Sequence, residues 1–213
     1  MQYEGIEIHW YGHDSFFIVG DGRKVWIDPF ELSDGVPKGD LVLITHEHFD
    51  HFSEVDLRRV LSSEAVVVTP FEATVDRIET KRIAVGEIKE FVGIKVQAVY
   101  AYNINKFREP GEPFHPKATE WVGYLLHFKT CTLYHMGDTD HIPELGRLKV
   151  DVALVPVSGT YVMTAVEAVD AVNELQPKLA IPMHYGSVVG SDDDAYYLKA
   201  NSQVPVEILQ REF

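Results

Sequence analysis

Thr45-His46-Glu47-His48-Phe49-Asp50-His51 sets four potential metal ligands within six residues, directly after the apolar run Leu41-Val-Leu-Ile44. An extended chain sends alternate side chains to one side. His46, His48 and Asp50 therefore converge if the strand geometry continues past Ile44, and His51 then faces elsewhere, toward a second ion. Imidazole and carboxylate suit Zn²⁺ and neighbouring first-row metals. Histidines gathered without a metal repel when protonated, and each needs its own hydrogen-bond partner if buried. A His-rich surface loop is the bland alternative, and the density of ligands argues against it.

The bulk properties narrow the setting. The 213 residues, read as one domain over 1–213, are 46% hydrophobic and 24% charged, ordinary values for a soluble globular protein. Neither end reads as a signal segment and no apolar run is long enough to span a bilayer, so a cytoplasmic location without membrane insertion is expected. The lone Cys131 has no partner for an internal disulfide and reads as a small packing residue in a strand. A formal net charge of -14 disfavours nucleic acid and anionic membranes as partners. It leaves a small-molecule substrate open, even an anionic one, because bound cations make their pocket locally positive.

Around the ligand-rich segment, sequence pattern predicts strands and helices in two runs. Ile6–Val19 and Lys24–Ile27 read as a hairpin about Gly20-Asp-Gly22, and Leu41–Ile44 as a strand buried on both faces. Ser53 is placed to cap a helix over Val55–Leu61. Strands are expected at Ala65–Thr69, Ile88–Val92, Ile94–Tyr100, Trp121–Phe128, Thr132–His135, Val152–Val157, Leu179–Pro182 and Val204–Leu209. Helices are expected at Phe71–Glu79, near Ile142–Leu148, at Met163–Leu175 and near Asp193–Lys199. The long polar loop 103–120, with three prolines, reads as mobile or functional. Two sheets packed face to face with helices outside is the economical arrangement.

Three further stretches hold ligand types at strand ends or in the loop: Gly137-Asp138-Thr139, Met183-His184-Tyr185-Gly186 and Phe114-His115-Pro-Lys117. Together with Asp28 and the His46–His51 cluster, their order resembles the metallo-β-lactamase superfamily, in particular its lactonase-like and phospholipase-D-like hydrolases. The resemblance implies an α/β fold, a four-layer αββα sandwich of the metallo-β-lactamase type with two divalent metal ions at one edge of the sheets. Carried over, it implies that His46, His48 and a third histidine hold one ion. Asp50, His51 and His184 hold the other, Asp138 bridges, and Asp28 orients the first motif from behind. The third histidine is the weak point: Asn103 stands where relatives often carry an imidazole, and His115 is the candidate replacement. His13, in Gly12-His-Asp-Ser-Phe16, is similar to the Gly-His start of such relatives and reads as a structural or supporting residue. His135 and His141 read as structural or substrate-contacting, while His9 and His127 carry no assignment.

The implied chemistry is hydrolysis of a small ester, lactone or phosphodiester by a metal-bound hydroxide, with Asp50 as the catalytic carboxylate that orients it and helps move its proton. Zn²⁺ heads the list of metals, with Mn²⁺, Fe²⁺ and Ni²⁺ open. Tyr102, Lys106, Phe107, Arg108 and Lys117 either line the pocket or form a solvated loop face. Two alternatives compete. One is a non-catalytic metal-binding or sensing module of the same fold. The other is a di-iron redox enzyme, which usually carries Glu at the position of His48 together with an electron-carrier domain that this chain lacks.

Overall fold

The computed structural model describes residues 1–73, 75, 78 and 80–213. The first sheet runs in chain order through β1 (Gln2–Tyr3), β2 (Ile6–Gly12), β3 (Ser15–Gly20), β4 (Arg23–Ile27), β5 (Gly39–Leu43), β6 (Leu61–Thr69) and β7 (Thr80–Arg82). β1 to β4 are antiparallel, and β4 to β7 are parallel. The second sheet is built from β8 (Ile88–Phe91), β9 (Ile94–Tyr100), β12 (Val122–His127), β13 (Thr132–His135), β14 (Val152–Pro156) and β15 (Leu179–Met183). Its β8, β9, β12 and β13 are antiparallel, and β13 to β15 are parallel. Between β9 and β12 the long loop folds a small hairpin, β10 (Phe107–Glu109) with β11 (Glu112–Pro113).

Alternation along the strands divides the apolar residues between two cores. Leu41 and Leu43 of β5 face the space between the sheets, with Phe16, Ile18, Val25 and Ile27, against Val96, Ala98, Tyr124 and Leu126 of the second sheet. Val42 and Ile44 face outward with Phe17, Trp26 and Val67 and are covered by Leu57 and Val60 of α1 (Glu54–Val60). α2 (Ala165–Leu175) packs on β14, and α3 (Asp192–Asn201) packs on α2 and β15. The expected α/β, four-layer αββα arrangement is therefore present: two mixed sheets face to face, with helices outside. Each fully buried Leu, Ile or Phe contributes about 1.5–3 kcal/mol to holding the layers together.

Several elements depart from the sequence reading. Ile6–Val19 is two strands, because Gly12 (φ 104°) and His13 (φ 48°) turn the chain between β2 and β3. The helix expected at Phe71–Glu79 falls partly on residues 74, 76, 77 and 79, outside the described ones. Val75 and Ile78 form an isolated antiparallel bridge instead. Ile142–Leu148, interrupted by Pro143 and Gly146, tightens only to a single 3₁₀ turn at Leu145–Arg147. Val204–Leu209 is not a strand: Pro205 lacks an N–H, and the tail meets β15 at one bridge, Ala180 with Val206. It then crosses to the first sheet, where Glu212 N donates to Trp10 O at 2.8 Å. The tail thus ties both sheets together.

Candidate metal centre

The parallel strands deliver the site. β4 ends at Asp28, β5 runs into Thr45 and His46, β13 into Gly137 and Asp138, β14 into Ser158 and β15 into His184. Gly137 turns the chain at φ 64°, in a place where a Cβ would come within 2.8 Å of Val122 O. His13, Asp28 and His184 hold positive φ values of 48°, 45° and 60°. That backbone costs a side-chain-bearing residue roughly 1–2 kcal/mol each, and such strain collects at functional sites.

Four imidazoles have their Nδ1 fixed by a neighbouring side chain. Asp28 Oδ1 accepts Thr45 N at 2.8 Å, and its Oδ2 accepts Thr45 Oγ1 at 2.5 Å and His51 Nδ1 at 2.8 Å. With its proton given to Asp28, Thr45 Oγ1 accepts from His46 Nδ1 at 3.0 Å. Ser158 donates to Thr160 O and accepts His184 Nδ1 at 2.9 Å. Asn103 Oδ1 accepts His115 Nδ1 at 2.9 Å. The Nε2 atoms of His51, His115 and His184 are thereby turned inward without a hydrogen-bond partner, and His46 Nε2 meets His48 Nδ1 at 3.0 Å, so all four present to the centre the nitrogen a metal ligand requires.

These nitrogens converge. His46, His48 and His115 form one group, His46, His51 and Asp138 a second, and His13, Asp14, His51 and His184 a third, with ligand atoms within 4.8 Å of one another in each. Asp138 stands between the groups. Its Oδ2 lies 3.2 Å from His115 Nε2 and 3.3 Å from His184 Nε2, and its Oδ1 lies 3.5 Å from His51 Nε2. Trp121 backs the first group, its ring 5.0 Å from His46 and 4.8 Å from His48.

Both oxygens of Asp14, Asp138 Oδ1 and the Nε2 atoms of His51, His115 and His184 are buried without a hydrogen-bond partner. Buried polar atoms are nearly always paired. An aggregate of unpaired imidazole nitrogens and carboxylate oxygens at these separations fits divalent cations, which take both kinds of ligand. The electrostatics agree. Burial, with the neighbouring His51 and His115, holds His46 well below the usual histidine range, and burial with His115 lowers His48 to about 4. Burial would lower His51 and His184 too, but Asp138 and Asp28 outweigh it at His51, and Asp138 and Asp14 outweigh it at His184, so both are raised. The two sides of the centre thus differ: the carboxylates favour a protonated imidazole at His51 and His184, while His46 and His48 are held neutral.

Of the sequence-predicted site residues, His46, His48, His51, His115, Asp138 and His184 come together. Asp50 does not join the three groups. The chain turns after His46, with His51 N and Phe52 N both donating to His48 O, so the alternation expected beyond Ile44 stops before Asp50. Asp50 Oδ2 instead accepts His13 Nε2 at 3.2 Å. Burial would raise the Asp50 carboxyl, but this bond and the nearby His51 bring it to about 2. His13 is lowered to about 4 by burial and by His184, so it is a neutral donor. Asn103 supports His115: its Nδ2 donates to Asp140 Oδ1 and Tyr161 O, which fixes the amide so that its oxygen faces the imidazole. Sequence reasoning missed Asp14, Trp121, Ser158 and Asp140. Gly12 was the available signal for Asp14, since a turn there puts residue 14 at a strand end.

A cavity of about 340 Å³ opens over the centre. His48, Asp50, His115 and Asp138 form its floor, Phe49, Phe114 and Tyr161 its walls, and Arg108 its rim. Phe114 and Tyr161 meet edge to face at 4.7 Å, and the Arg108 guanidinium lies 5.5 Å over Phe114. Lys106 is bound by Glu167 at 2.8 Å and Lys117 by Glu144 at 2.6 Å. Of these loop cations, Arg108 remains without an ion pair among the described residues.

A sandwich of two mixed sheets with histidines and carboxylates gathered at the strand ends defines the metallo-β-lactamase fold class. A family profile described as "Beta-lactamase superfamily domain" matches residues 7–184, and the chain belongs to that family. It is 32% identical to a UPF0173 protein of Pyrococcus furiosus over 90% of this chain and 89% of that one. It is 31% identical to a UPF0173 metal-dependent hydrolase of Thermoplasma acidophilum, over 86% of this chain and 85% of that one. Among solved structures, a proposed metal-dependent hydrolase from Parabacteroides distasonis superposes with a TM-score of 0.80 at 30% identity, covering 96% of this chain and 94% of that one.

Proposed function

We propose that this chain is a metal-dependent hydrolase, one domain over residues 1–213, that cleaves a small ester, lactone or phosphodiester with two divalent ions. His46, His48 and His115 hold one ion, His51 and His184 hold the other, and Asp138 lies between them. The observation that carries this reading is the set of unpaired buried nitrogens and oxygens directed at one another from separate strand ends. Relatives named as metal-dependent hydrolases support it. When bound, the pair of ions lowers the pKa of a water toward about 7 and polarises the bond to be cleaved.

The chain's own residues do the rest. Asp28, Ser158 and Asn103 hold the imidazoles in the ligating tautomer. Asp50, at the cavity floor and anchored by His13, is a carboxylate at neutral pH. Such a weak base orients a water by accepting its hydrogen bond more effectively than it removes a proton. The aromatic walls exclude water and hold an apolar portion of the substrate, and a cavity of about 340 Å³ suits a small molecule. Arg108 offers a fork for a carboxylate or phosphate at the rim.

The test is turnover against ester, lactone and phosphodiester panels, with protein whose metal content has been measured. Hydrolysis of at least one class, lost on chelation and restored on reloading, is expected. Fully loaded protein inert toward every class overturns the reading. Asp50→Asn separates enzyme from passive binder: turnover is expected to fall about 10²- to 10⁴-fold with metal retained.

A further inference from the structure

Tyr134 is fully buried, yet its hydroxyl has no hydrogen-bond partner. Two other buried tyrosines are supplied: Tyr124 donates to Ile44 O at 2.8 Å and Tyr102 to Glu144 Oε2 at 3.0 Å. Burial pushes the Tyr134 phenol up, so it stays a neutral O–H donor. A buried hydroxyl left unpaired is uncommon and costly, and what adjoins it has to account for it.

The next residue along β13, His135, donates to Asp14 O at 2.9 Å across the gap between the sheets. Alternation therefore sends Tyr134 to the opposite, helix-covered face. There the 3₁₀ turn Leu145–Arg147 lies against α2, and a cavity of about 250 Å³ remains between that turn and β9. Val85, Val99, Ile142, Leu145 and Leu148 line it together with Tyr134. Among the described residues it shares no lining side chain with the metal cavity. Two charged residues join the lining. Glu144 is committed, accepting Lys117 Nζ at 2.6 Å and the Tyr102 hydroxyl, and Arg147 is exposed to solvent.

We propose that this outer cavity is a second ligand site, taking one small, neutral, mainly apolar molecule whose single hydrogen-bond acceptor meets the Tyr134 hydroxyl. Size follows from volume. An apolar cavity of about 150 Å³ accepts benzene, so about 250 Å³ accommodates one ring with a short substituent. Neutrality follows from the lining, because an ion set among five aliphatic side chains loses its hydration without gaining a counter-charge. The acceptor follows from the phenol, which supplies the donor. The site owes nothing to the metal ions and stands or falls apart from the hydrolase reading.

The experiment follows the Val, Ile and Leu methyl resonances of the full, metal-loaded chain during titration with three probes. These are acetophenone, α-methylstyrene (a CH₂ group in place of the carbonyl oxygen) and benzoate. Acetophenone is expected to shift the methyls of Val85, Val99, Ile142, Leu145 and Leu148, and to bind at least threefold more tightly than α-methylstyrene, the worth of one hydrogen bond. Tyr134→Phe is expected to erase that preference and to unfold no lower than wild type, because no bond inside the protein is lost. Val99→Trp, which fills the cavity, is expected to abolish the shifts. The comparison of ketone and alkene on wild type needs no variant to fold. Acetophenone seated only in the metal cavity, which no Val, Ile or Leu lines, leaves these methyls unmoved and overturns the assignment. So does a preference for the ketone below threefold, one that survives in Tyr134→Phe, or benzoate moving the same methyls at lower concentration than acetophenone.

Discussion

Asn103 Oδ1 and His115 Nδ1 lie 2.9 Å apart, and that pairing decides which nitrogen of His115 is free. The same oxygen also accepts the His115 backbone N–H at 2.9 Å, so one side chain sets both the loop and the ring. Removing the imidazole and removing its support have different consequences. His115→Ala is expected to abolish binding at the first site. Asn103→Ala is expected to weaken it about 10- to 100-fold, the usual cost of losing an orienting partner. Chelator competition on both variants checks this, and equal, complete loss in the two would deny the division of roles.

Asp28 supports the opposite side of the centre through three hydrogen bonds. Asp28→Asn keeps the shape but puts N–H groups against donors. A loss of about 1–3 kcal/mol in the stripped protein is expected from the unsatisfied groups, together with weaker binding at the His51 site. Denaturant unfolding and metal titration read the two effects separately.

Metal uptake is expected to depend on pH, and the sign follows from the carboxylates around the second group. Asp138 and Asp28 raise His51, and Asp138 and Asp14 raise His184, despite their burial, so both rings carry protons over a wider range than a free histidine. A cation must displace those protons, and affinity is expected to rise with pH and fall in acid. Proton release measured during calorimetric titration in buffers of different ionisation enthalpy checks it. Uptake without proton release at neutral pH would contradict it.

Arg108→Ala is expected to leave metal content untouched and to raise KM about tenfold for substrates with a negative group, since charge-assisted hydrogen bonds are worth about 1.5–3 kcal/mol when well formed. Neutral substrates of the same shape should be little affected. An equal change for both would remove Arg108 from recognition.

The fold was largely legible because apolar runs such as Leu41–Ile44 leave few alternatives to a buried strand, and Ser53 supplied the helix cap where expected. The strand ends that carry His184 and Asp138 were legible for the same reason: both residues follow apolar runs directly. The directions of the Asp50 and Asp14 side chains were not legible, because both depend on turns. The chain bends after His46, so residue parity ceases to specify direction. Asp14 sits in a run that reads as one continuous strand until the positive φ of Gly12 and His13 reverses it. Trp121 and Ser158 act only through contacts between distant segments, which no local pattern encodes.

The most direct test is anomalous diffraction from crystals of the metal-loaded protein. Two peaks are expected, one among His46, His48 and His115 and one beside His51 and His184, each within bonding distance of Asp138. A single peak, or metal bound only at surface residues away from these side chains, would contradict a two-ion centre.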